Sequence, residues 1–388
     1  MAEPQSKSGS ELVPELVSEF RAAPKTESSA LRRPQLTMDL SALRHNAVVA
    51  KQAAGGRKLF AAVKADGYGH GAAMVTQAIR ESMDGFMVAS LGEGEALRQA
   101  GVTQRIMVLQ GVMSQTEARR AAQRFLEPVF HHVSQIEAVG RVGFGLPLTA
   151  WLKLDTGMHR VGFTADEFPE AYARLSTLRG VRPNPGVLTH FARADEPNPA
   201  PTHAQIDLFH QVTATVQGDT SLCNSAGLLA FPDAGGDWVR PGIMLYGGNP
   251  FVTGTAADHG LRPVMTLTTR LIAIRTVQAG ETVGYGGRFT ASETMPVGVV
   301  AIGYGDGYPR HAPDGTPILV NGQRARLIGR VSMDLITVDL RGITASVGDS
   351  VECWGAQLPI DEVASAALTI SYELMCQMSG RVARRIVE

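Results

Sequence analysis

The stretch LFAAVKADGYGHGAAM, which begins at Leu59, places Lys64 at the end of an apolar run. A lysine is normally a solvated surface residue. One interpretation is a structural lysine whose stem packs on apolar groups while its amine reaches water. The other is a nucleophilic amine that forms a Schiff base with a carbonyl group. The choice between them depends on which other residues the fold places beside Lys64.

Polar residues also end several of the later apolar runs. These residues are Lys153 with Asp155, His190, Asn224 with Ser225, and Arg240. Each alone has a structural explanation: a histidine hydrogen-bonded in the core, an arginine paired with an acid, or a serine that caps a helix. Their joint appearance at the ends of predicted strands favours a shared site.

The elements that would position these residues are eight short apolar runs between Leu59 and Gly247. They read LFAAVKA, GFMVAS, RIMVLQ, EPVFHH, AWLKLD, GVLTHF, SLCNSA and VRPGIMLYG. Most are continuous rather than alternating, which is typical of parallel strands covered on both faces. Capping boxes that begin at Ser114 and at Thr202 predict helices between the runs. We therefore predict an α/β fold with an N-terminal (β/α)8 barrel, whose strand ends carry the chemistry. An open doubly wound sheet is the alternative.

The pattern changes from about Leu261. RLIAIRTV and LITVDL alternate, and ILVNGQRARL has Asn321-Gly322 at its centre, a strong hairpin signal. Two short helical segments are expected between Asp361 and Met378. The predicted organisation is a mobile N-terminal tail at 1–33, a barrel at 34–260 and a mainly β C-terminal domain at 261–388.

Composition excludes several function classes. The 388 residues are 44% hydrophobic and 19% charged, with a formal net charge of -1. Without a clustered basic footprint, nucleic acid is not an expected partner. No run of about 18 apolar residues predicts a membrane span. The first thirty residues lack the apolar segment of a secretory signal, and the three cysteines lack metal-site spacing. We expect a cytoplasmic protein and no metal.

The motif AAVKADGYGHG resembles the cofactor-lysine motif of the alanine racemase family, whose members carry pyridoxal 5′-phosphate (PLP). The likeness extends from about residue 33 to the C-terminus. It continues in family order through WLKLDTGMHRVGF, LTHFARADE, CNSAG, WVRPGIMLYG, VGYGGRFTA, AIGYGDGYPR, GRVSMDLITVDL and ISYELMC. Departures are few: Ala65-Asp66-Gly67 stands where many relatives have Ala-Asn-Ala, and His159 where glycine is common.

The resemblance implies that Lys64 holds PLP as a Schiff base and serves as one acid/base group. Arg240 would face the pyridine nitrogen and His190 would orient Arg240. Arg160 would lie near the phenolic oxygen and help to hold the substrate carboxylate. The residues implied around the cofactor phosphate are Tyr68, Ser225, Gly242, Ile243 and Tyr372.

Racemisation needs proton transfer on both faces of the α-carbon, and the resemblance assigns the second face to Tyr285 of a partner subunit. An ordinary tyrosine has a pKa of about 10, so such a base needs nearby positive charge or hydrogen bonds. Met333 and Asp334 would line the same side, and Tyr304 the entrance. The active unit would be a homodimer with shared sites. Lys153 corresponds to a lysine that is carbamylated in many relatives; a plain lysine or a nearby chloride is the alternative.

The function implied is a PLP-dependent racemase that interconverts L- and D-alanine, either supplying D-alanine for the cell wall or degrading it. A racemase of serine or of several amino acids is a close alternative, because a small pocket separates such substrates by only about 1–3 kcal/mol. A PLP decarboxylase of related fold would need a catalytic cysteine in the C-terminal domain. A non-catalytic PLP-binding protein would need only the barrel.

Overall fold

The computed structural model describes residues 34–140 and 147–388, so the predicted tail at 1–33 lies outside the described residues. The described chain begins with strand β1 (Gln35–Asp39) and helix α1 (Leu40–Ala53). Asp39 caps α1, because its Oδ1 accepts a hydrogen bond of 2.9 Å from the amide of Ala42.

Eight parallel strands close into a barrel, which confirms the predicted architecture. Each of the eight apolar runs supplies one strand. Closure is made where Lys58 and Leu59 of the first barrel strand pair with Trp238 and Val239 of the last. The strands are β2 (Lys58–Ala62), β3 (Gly85–Val88), β4 (Arg105–Val108), β5 (Leu126–Phe130), β6 (Trp151–Lys153), β7 (Gly186–Leu188), β8 (Thr220–Ser221) and β9 (Trp238–Val239).

Helices follow the barrel strands and cover their outer faces. They are α3 (Ala72–Ile79), α4 (Leu91–Gln99), α5 (Gln115–Gln123), α6 (Val133–Val139), α7 (Phe168–Thr177), α8 (Ala200–Thr213) and α9 (Ser225–Ala230); a short left-handed turn, labelled α2 (Lys64–Tyr68), precedes α3. The predicted cap at Ser114 is present, with Ser114 Oγ accepting from the amide of Glu117. The capping box predicted at Thr202 is wrong. With Thr202 as the cap the helix would begin at His203, but α8 begins three residues earlier, at Ala200, and Pro201 occupies its first turn, a position that tolerates proline.

The amino-terminal end of the barrel is closed by a partly buried ion-pair cluster, in which Glu127 is buried and Arg105 and Asp219 are half-buried. Arg105 donates from Nε and Nη2 to the Glu127 carboxylate and from Nη1 to Asp219. The indole nitrogens of Trp151 and Trp238 donate to the same two carboxylates. Because every one of these charges has a partner, this end of the barrel is built for stability.

The C-terminal domain is mainly β, as predicted. Its strands are β10 (Met265–Val277), β11 (Thr282–Val283), β12 (Phe289–Thr290), β13 (Met295–Val300), β14 (Pro317–Val320), β15 (Gln323–Ile328), β16 (Ile336–Asp339), β17 (Ser350–Trp354) and β18 (Ala383–Val387). An eight-stranded sheet has the order β13-β16-β15-β14-β17-β10-β1-β18, and β11 pairs with β12. Two short helices, α10 (Ile360–Ala366) and α11 (Ser371–Cys376), lie in the predicted segment.

Strand β1 belongs to this sheet although it precedes the barrel in sequence. It pairs antiparallel with β10 and parallel with β18, and its alternate residues Leu36 and Met38 are buried. The predicted hairpin is also present: β14 and β15 pair across Asn321 and Gly322, which both have positive φ as a two-residue hairpin turn requires. The division at residue 260 stays a prediction. No helix among the described residues is long and apolar enough to cross a bilayer.

Candidate active site

Lys64 lies at the carboxyl end of β2 and begins an unusual backbone turn. Ala65, Asp66, Gly67 and Tyr68 all have φ between 52° and 64°, in the left-handed region. The turn directs Lys64 into a cavity of about 1700 Å³ at the carboxyl end of the barrel. Burial lowers the pKa of the Lys64 ammonium, as does the positive charge of Arg160. A lysine in these surroundings is more nucleophilic than a surface lysine.

A group of hydroxyls and amides lies on one side of the cavity. Ser225 Oγ accepts from the amides of Gly242 at 2.8 Å and Met244 at 3.5 Å. Tyr68 lies against Gly242: a Cβ added there would stand 2.8 Å from Tyr68 Oη. The Tyr68 and Tyr372 rings are neighbours, with centroids 5.7 Å apart. The structure thus brings Tyr68, Ser225, Gly242, Ile243 and Tyr372 to one cavity.

Arg240 is buried at the end of β9. Its guanidinium donates to Ser221 Oγ at 2.6 Å and to the carbonyls of Leu222 at 2.9 Å and Thr189. Burial lowers its pKa to about 10, so it remains charged at neutral pH. All of these acceptors of Arg240 are neutral groups of the described residues. The sequence leaves open an alternative in which Arg240 pairs with an acidic residue, and the structure does not show such a pair among the described residues. His190 is predicted to orient Arg240. It lines the same cavity but makes no hydrogen bond to Arg240 in the described structure.

Four cations of the barrel line this cavity: Lys64, Lys153, Arg160 and Arg240. Burial, and then the charges of Arg160 and Arg240, lower the pKa of Lys153 to about 8. Burial and the same cations lower the pKa of His190 well below its usual range, so its imidazole is neutral at pH 7. Asp155 holds the loop that leads to Arg160, because its Oδ1 accepts from the amides of Gly157, Met158 and His159. His159 occupies a left-handed position with φ of 56°, a conformation that glycine adopts at lower cost.

The remaining predicted site residues lie on the C-terminal domain, outside the described lining of the barrel cavity. They are Tyr285, Tyr304, Met333 and Asp334. Tyr285 is 71% exposed, on a 3-10 turn flanked by glycines with positive φ. Tyr304 and Met333 occupy two loops joined by backbone hydrogen bonds, from Tyr304 N to Ser332 O and from Gly305 N to Met333 O. One chain therefore does not unite these residues with Lys64.

Two residues of the site are absent from the sequence prediction. Glu93 accepts a hydrogen bond from the amide of Ala65, next to Lys64. The ring of Tyr246 stacks on that of Tyr68 at 4.8 Å, and its hydroxyl donates to Ala62 O. Ser90-Leu91-Gly92-Glu93 fits a capping box, so the sequence could have predicted the start of this helix. It could not have predicted the contact between Glu93 and Ala65, because that contact joins two separate loops.

The geometry agrees with comparisons to known proteins. Residues 38–250 match the family described as alanine racemase, N-terminal domain, and residues 264–386 match alanine racemase, C-terminal domain. Together these matches span most of the chain. The chain belongs to the alanine racemase family. It is therefore an enzyme of the isomerase class that acts on amino acids, as the sequence resemblance implies.

Individual members of the family are similar over nearly their whole length. The alanine racemase of Halorhodospira halophila is 46% identical over 358 residues, which cover 92% of this chain and 98% of that protein. The alanine racemase of Stutzerimonas stutzeri is 47% identical over 352 residues, covering 90% and 98%. The crystal structure of biosynthetic alanine racemase from Pseudomonas aeruginosa superposes with a TM-score of 0.89 at 46% identity, covering 92% and 100%.

A more distant relative has the same fold. The alanine racemase from Streptomyces coelicolor A3(2) has a TM-score of 0.86 at 34% identity, and the match covers 94% of this chain and all of that chain. The barrel followed by a β domain is therefore common to relatives of quite different sequence.

Proposed function

We propose that this enzyme interconverts L- and D-alanine with PLP bound to Lys64, using Lys64 on one face of the substrate and Tyr285 of the partner subunit on the other. The observation that carries the proposal is the placement of Lys64 in the same cavity as the hydroxyl and amide group and the buried Arg240. The similar proteins are alanine racemases, which supports alanine as the substrate.

The residues of the cavity fit PLP. Three hydroxyls, those of Tyr68, Ser225 and Tyr372, and the backbone around Gly242 offer donors suited to a phosphate dianion. The close approach of Tyr68 to Gly242 supports a phosphate site here, since a side chain at position 242 would collide with Tyr68 Oη. Arg240, at the far side, would donate to the pyridine nitrogen, and because an arginine does not readily lose its proton, that nitrogen would stay unprotonated.

PLP, when bound, withdraws electrons from the α-carbon of the substrate and so acidifies its hydrogen. Because Arg240 would leave the pyridine nitrogen unprotonated, it would make that withdrawal weaker than a paired aspartate would, which would disfavour side reactions. Lys64 would remove or return the α-proton at its Nζ, which its lowered pKa favours near neutral pH. Arg160, whose loop is held by Asp155, would bind the substrate carboxylate.

The second face needs an acid/base group opposite Lys64, and Tyr285 does not line the cavity of its own chain. Tyr285, Tyr304 and Met333 are exposed on the C-terminal domain, as expected of residues that complete the site of another copy. We therefore propose a homodimer with two shared sites, in which Asp334 lies on the same side. The cytoplasmic location and the absence of a nucleic-acid or membrane partner stay predictions.

We also propose that Lys153 is carbamylated. With a pKa of about 8, part of its amine is neutral at pH 7 and can attack CO2. The new N–C bond forms as one C=O π bond opens to a carboxylate, and the amine releases a proton to solvent. The product is an anion among Lys64, Arg160 and Arg240. A carbamate carbon signal from protein equilibrated with ¹³C-labelled CO2, lost in Lys153→Gln, would support this; a silent spectrum in both would contradict it.

The test of the proposed function is exchange of alanine's α-hydrogen in D2O by the PLP-loaded enzyme. The enzyme should label both enantiomers while interconverting them. Tyr285→Phe should slow the interconversion of L- and D-alanine about a thousandfold. Lys64 should still exchange the α-hydrogen on its own face, so exchange should be faster than inversion in this variant. Failure of the loaded wild-type enzyme to exchange the hydrogen would contradict the proposal. Faster turnover of serine than of alanine would instead favour the broader racemase.

A further inference from the structure

Glu93 connects the turn at Lys64 to the next barrel strand. It lies in the first turn of α4, where Ser90 Oγ accepts from the Glu93 amide. Its Oε2 accepts from the amides of Ala89 at 2.7 Å and Ser90 at 3.1 Å, which completes a capping box. Its Oε1 accepts at 2.8 Å from the amide of Ala65, on the neighbouring strand's loop. One carboxylate thus joins the ends of β2 and β3.

The backbone that Glu93 holds has an energetically costly conformation. Residues 65–68 form four consecutive left-handed positions, three of them with side chains. A left-handed helix costs an L-residue about 1–2 kcal/mol, so such residues normally occur singly. The turn persists because other groups hold it. Asp66 Oδ1 accepts from the amide of Ala72, and the His70 ring lies at 3.0 Å from Gly67 O. Glu93 holds the first amide after Lys64.

Glu93 also affects the charge balance at Lys64. Burial and Arg160 both lower the pKa of the Lys64 amine; the Glu93 carboxylate opposes them, as Cys376 in the cavity does to a smaller extent. The Glu93 carboxylate does so while hydrogen-bonded to backbone donors, which fixes its position. A neutral side chain in its place would leave the cationic cavity with less compensation.

We propose that Glu93 is a positioning residue for Lys64, which sets the direction of the Lys64 side chain by holding the ends of β2 and β3 together. This inference rests on the proposed role of Lys64. Glu93→Gln keeps the size of the side chain but has a single oxygen, which cannot accept from both loops, and it carries no charge. It should lower kcat about ten- to a hundredfold, because a small misplacement of a reacting group is costly.

A matched control is available one strand further along the barrel. Glu117 stands in the same place in α5: Ser114 Oγ accepts from its amide and its Oε2 accepts from the amide of Met113 at 2.7 Å. Its carboxylate caps α5 without contacting the turn at Lys64. Glu117→Gln therefore measures the loss of a capping carboxylate alone. Glu93→Gln, which also releases the turn after Lys64, should lose more thermal stability than Glu117→Gln.

The experiment compares PLP-loaded wild-type, Glu93→Gln, Glu93→Asp and Glu117→Gln enzymes. The readouts are kcat and the pH midpoint at which the visible absorption of the bound cofactor changes. We expect the midpoint to fall by about one pH unit in Glu93→Gln and to stay unchanged in Glu117→Gln. Glu93→Asp keeps the charge but is too short to span both loops, so it should keep the midpoint and lose turnover.

Two results would overturn the proposal. One is a Glu93→Gln enzyme that differs from wild type only as much as Glu117→Gln does. The other, decisive if Glu93→Gln does not fold, is a Glu93→Asp enzyme with wild-type turnover. Borohydride trapping of the cofactor on the Lys64 peptide of the wild type keeps the two proposals apart, because its failure contradicts the proposed function rather than the role of Glu93.

Discussion

At the scale of single residues, the site works by placing ordinary groups in surroundings that change them. Lys153 and Arg240 are common cations, but burial among like charges lowers the pKa of Lys153 to about 8, and burial lowers that of Arg240 to about 10. Such shifts mark functional sites because stability alone would not select them. The sequence predicts these residues as site members, yet their pKa values depend on distances that no motif specifies.

The Lys153 shift predicts how stability depends on pH in protein kept free of CO2. The folded pKa of about 8 lies below the unfolded value of about 10.4, so the unfolded chain holds more protons between those values. Stability contributed by this group therefore rises with pH across that window, by about 2–3 kcal/mol. Urea unfolding at both ends of the window should show this rise in wild type and in Lys51→Met, an exposed control. Lys153→Met should show a smaller rise, because the lowered pKa of Lys64 still contributes to it; an equal rise in all three would contradict the prediction.

Gly242 gives a prediction about the cofactor. A methyl group there would stand 2.8 Å from Tyr68 Oη, within the proposed phosphate group. Gly242→Ala should weaken PLP binding about tenfold or more, because the hydroxyl must move. Fluorescence titration with PLP measures the affinity. Gly380→Ala, at a glycine with nothing within 4 Å of the added carbon, should bind as wild type does. Equal affinities in all three would show that Tyr68 is not near the phosphate.

At the scale of elements, the packing of α11 on the turn after β2 brings Tyr372 to Tyr68. A Cβ at Gly69 would lie 2.1 Å from the carbonyl oxygen of Met375, and Gly69 also has φ of 76°. Gly69→Ala should destabilise the fold by about 3 kcal/mol or more. Gly55→Ala shares the positive φ but meets open space, so it should cost only about 1 kcal/mol. Urea unfolding checks the difference, and equal losses would mean that the approach of α11 is looser than described.

Much of the element order follows from the sequence, because continuous apolar runs, caps and an Asn-Gly turn act over short distances. The eight barrel strands and the Asn321 hairpin were predictable for that reason. Contacts between distant segments were not. Gln205 fits the third position of a capping box, yet its side chain accepts from the Ala192 amide and donates to Thr156 Oγ1. The pairing of β1 with the C-terminal sheet could not be predicted either, because β1 and β18 lie at opposite ends of the chain and no local sequence pattern indicates their pairing.

At the scale of the whole molecule, the amino-terminal end of the barrel contributes to stability and the carboxyl end to catalysis. The amino-terminal end holds the Arg105–Glu127–Asp219 cluster, and the carboxyl end holds the site. Glu127→Gln leaves Arg105 and Trp151 short of an acceptor and should cost about 1.5–3 kcal/mol of stability. The kcat should stay at the wild-type value. Calorimetry and an alanine interconversion assay check both, and a large loss of kcat at unchanged stability would contradict this division.

The central claim is that Lys64 and Tyr285 of the partner subunit share one site, and subunit complementation tests it most directly. Lys64→Ala and Tyr285→Phe chains are each expected to be nearly inactive. Mixed dimers of the two carry one site with both wild-type groups, so random reassortment of equal amounts should restore about a quarter of wild-type activity. Mixed dimers that form, as native mass spectrometry would detect, and yet remain inactive would contradict a site shared between subunits.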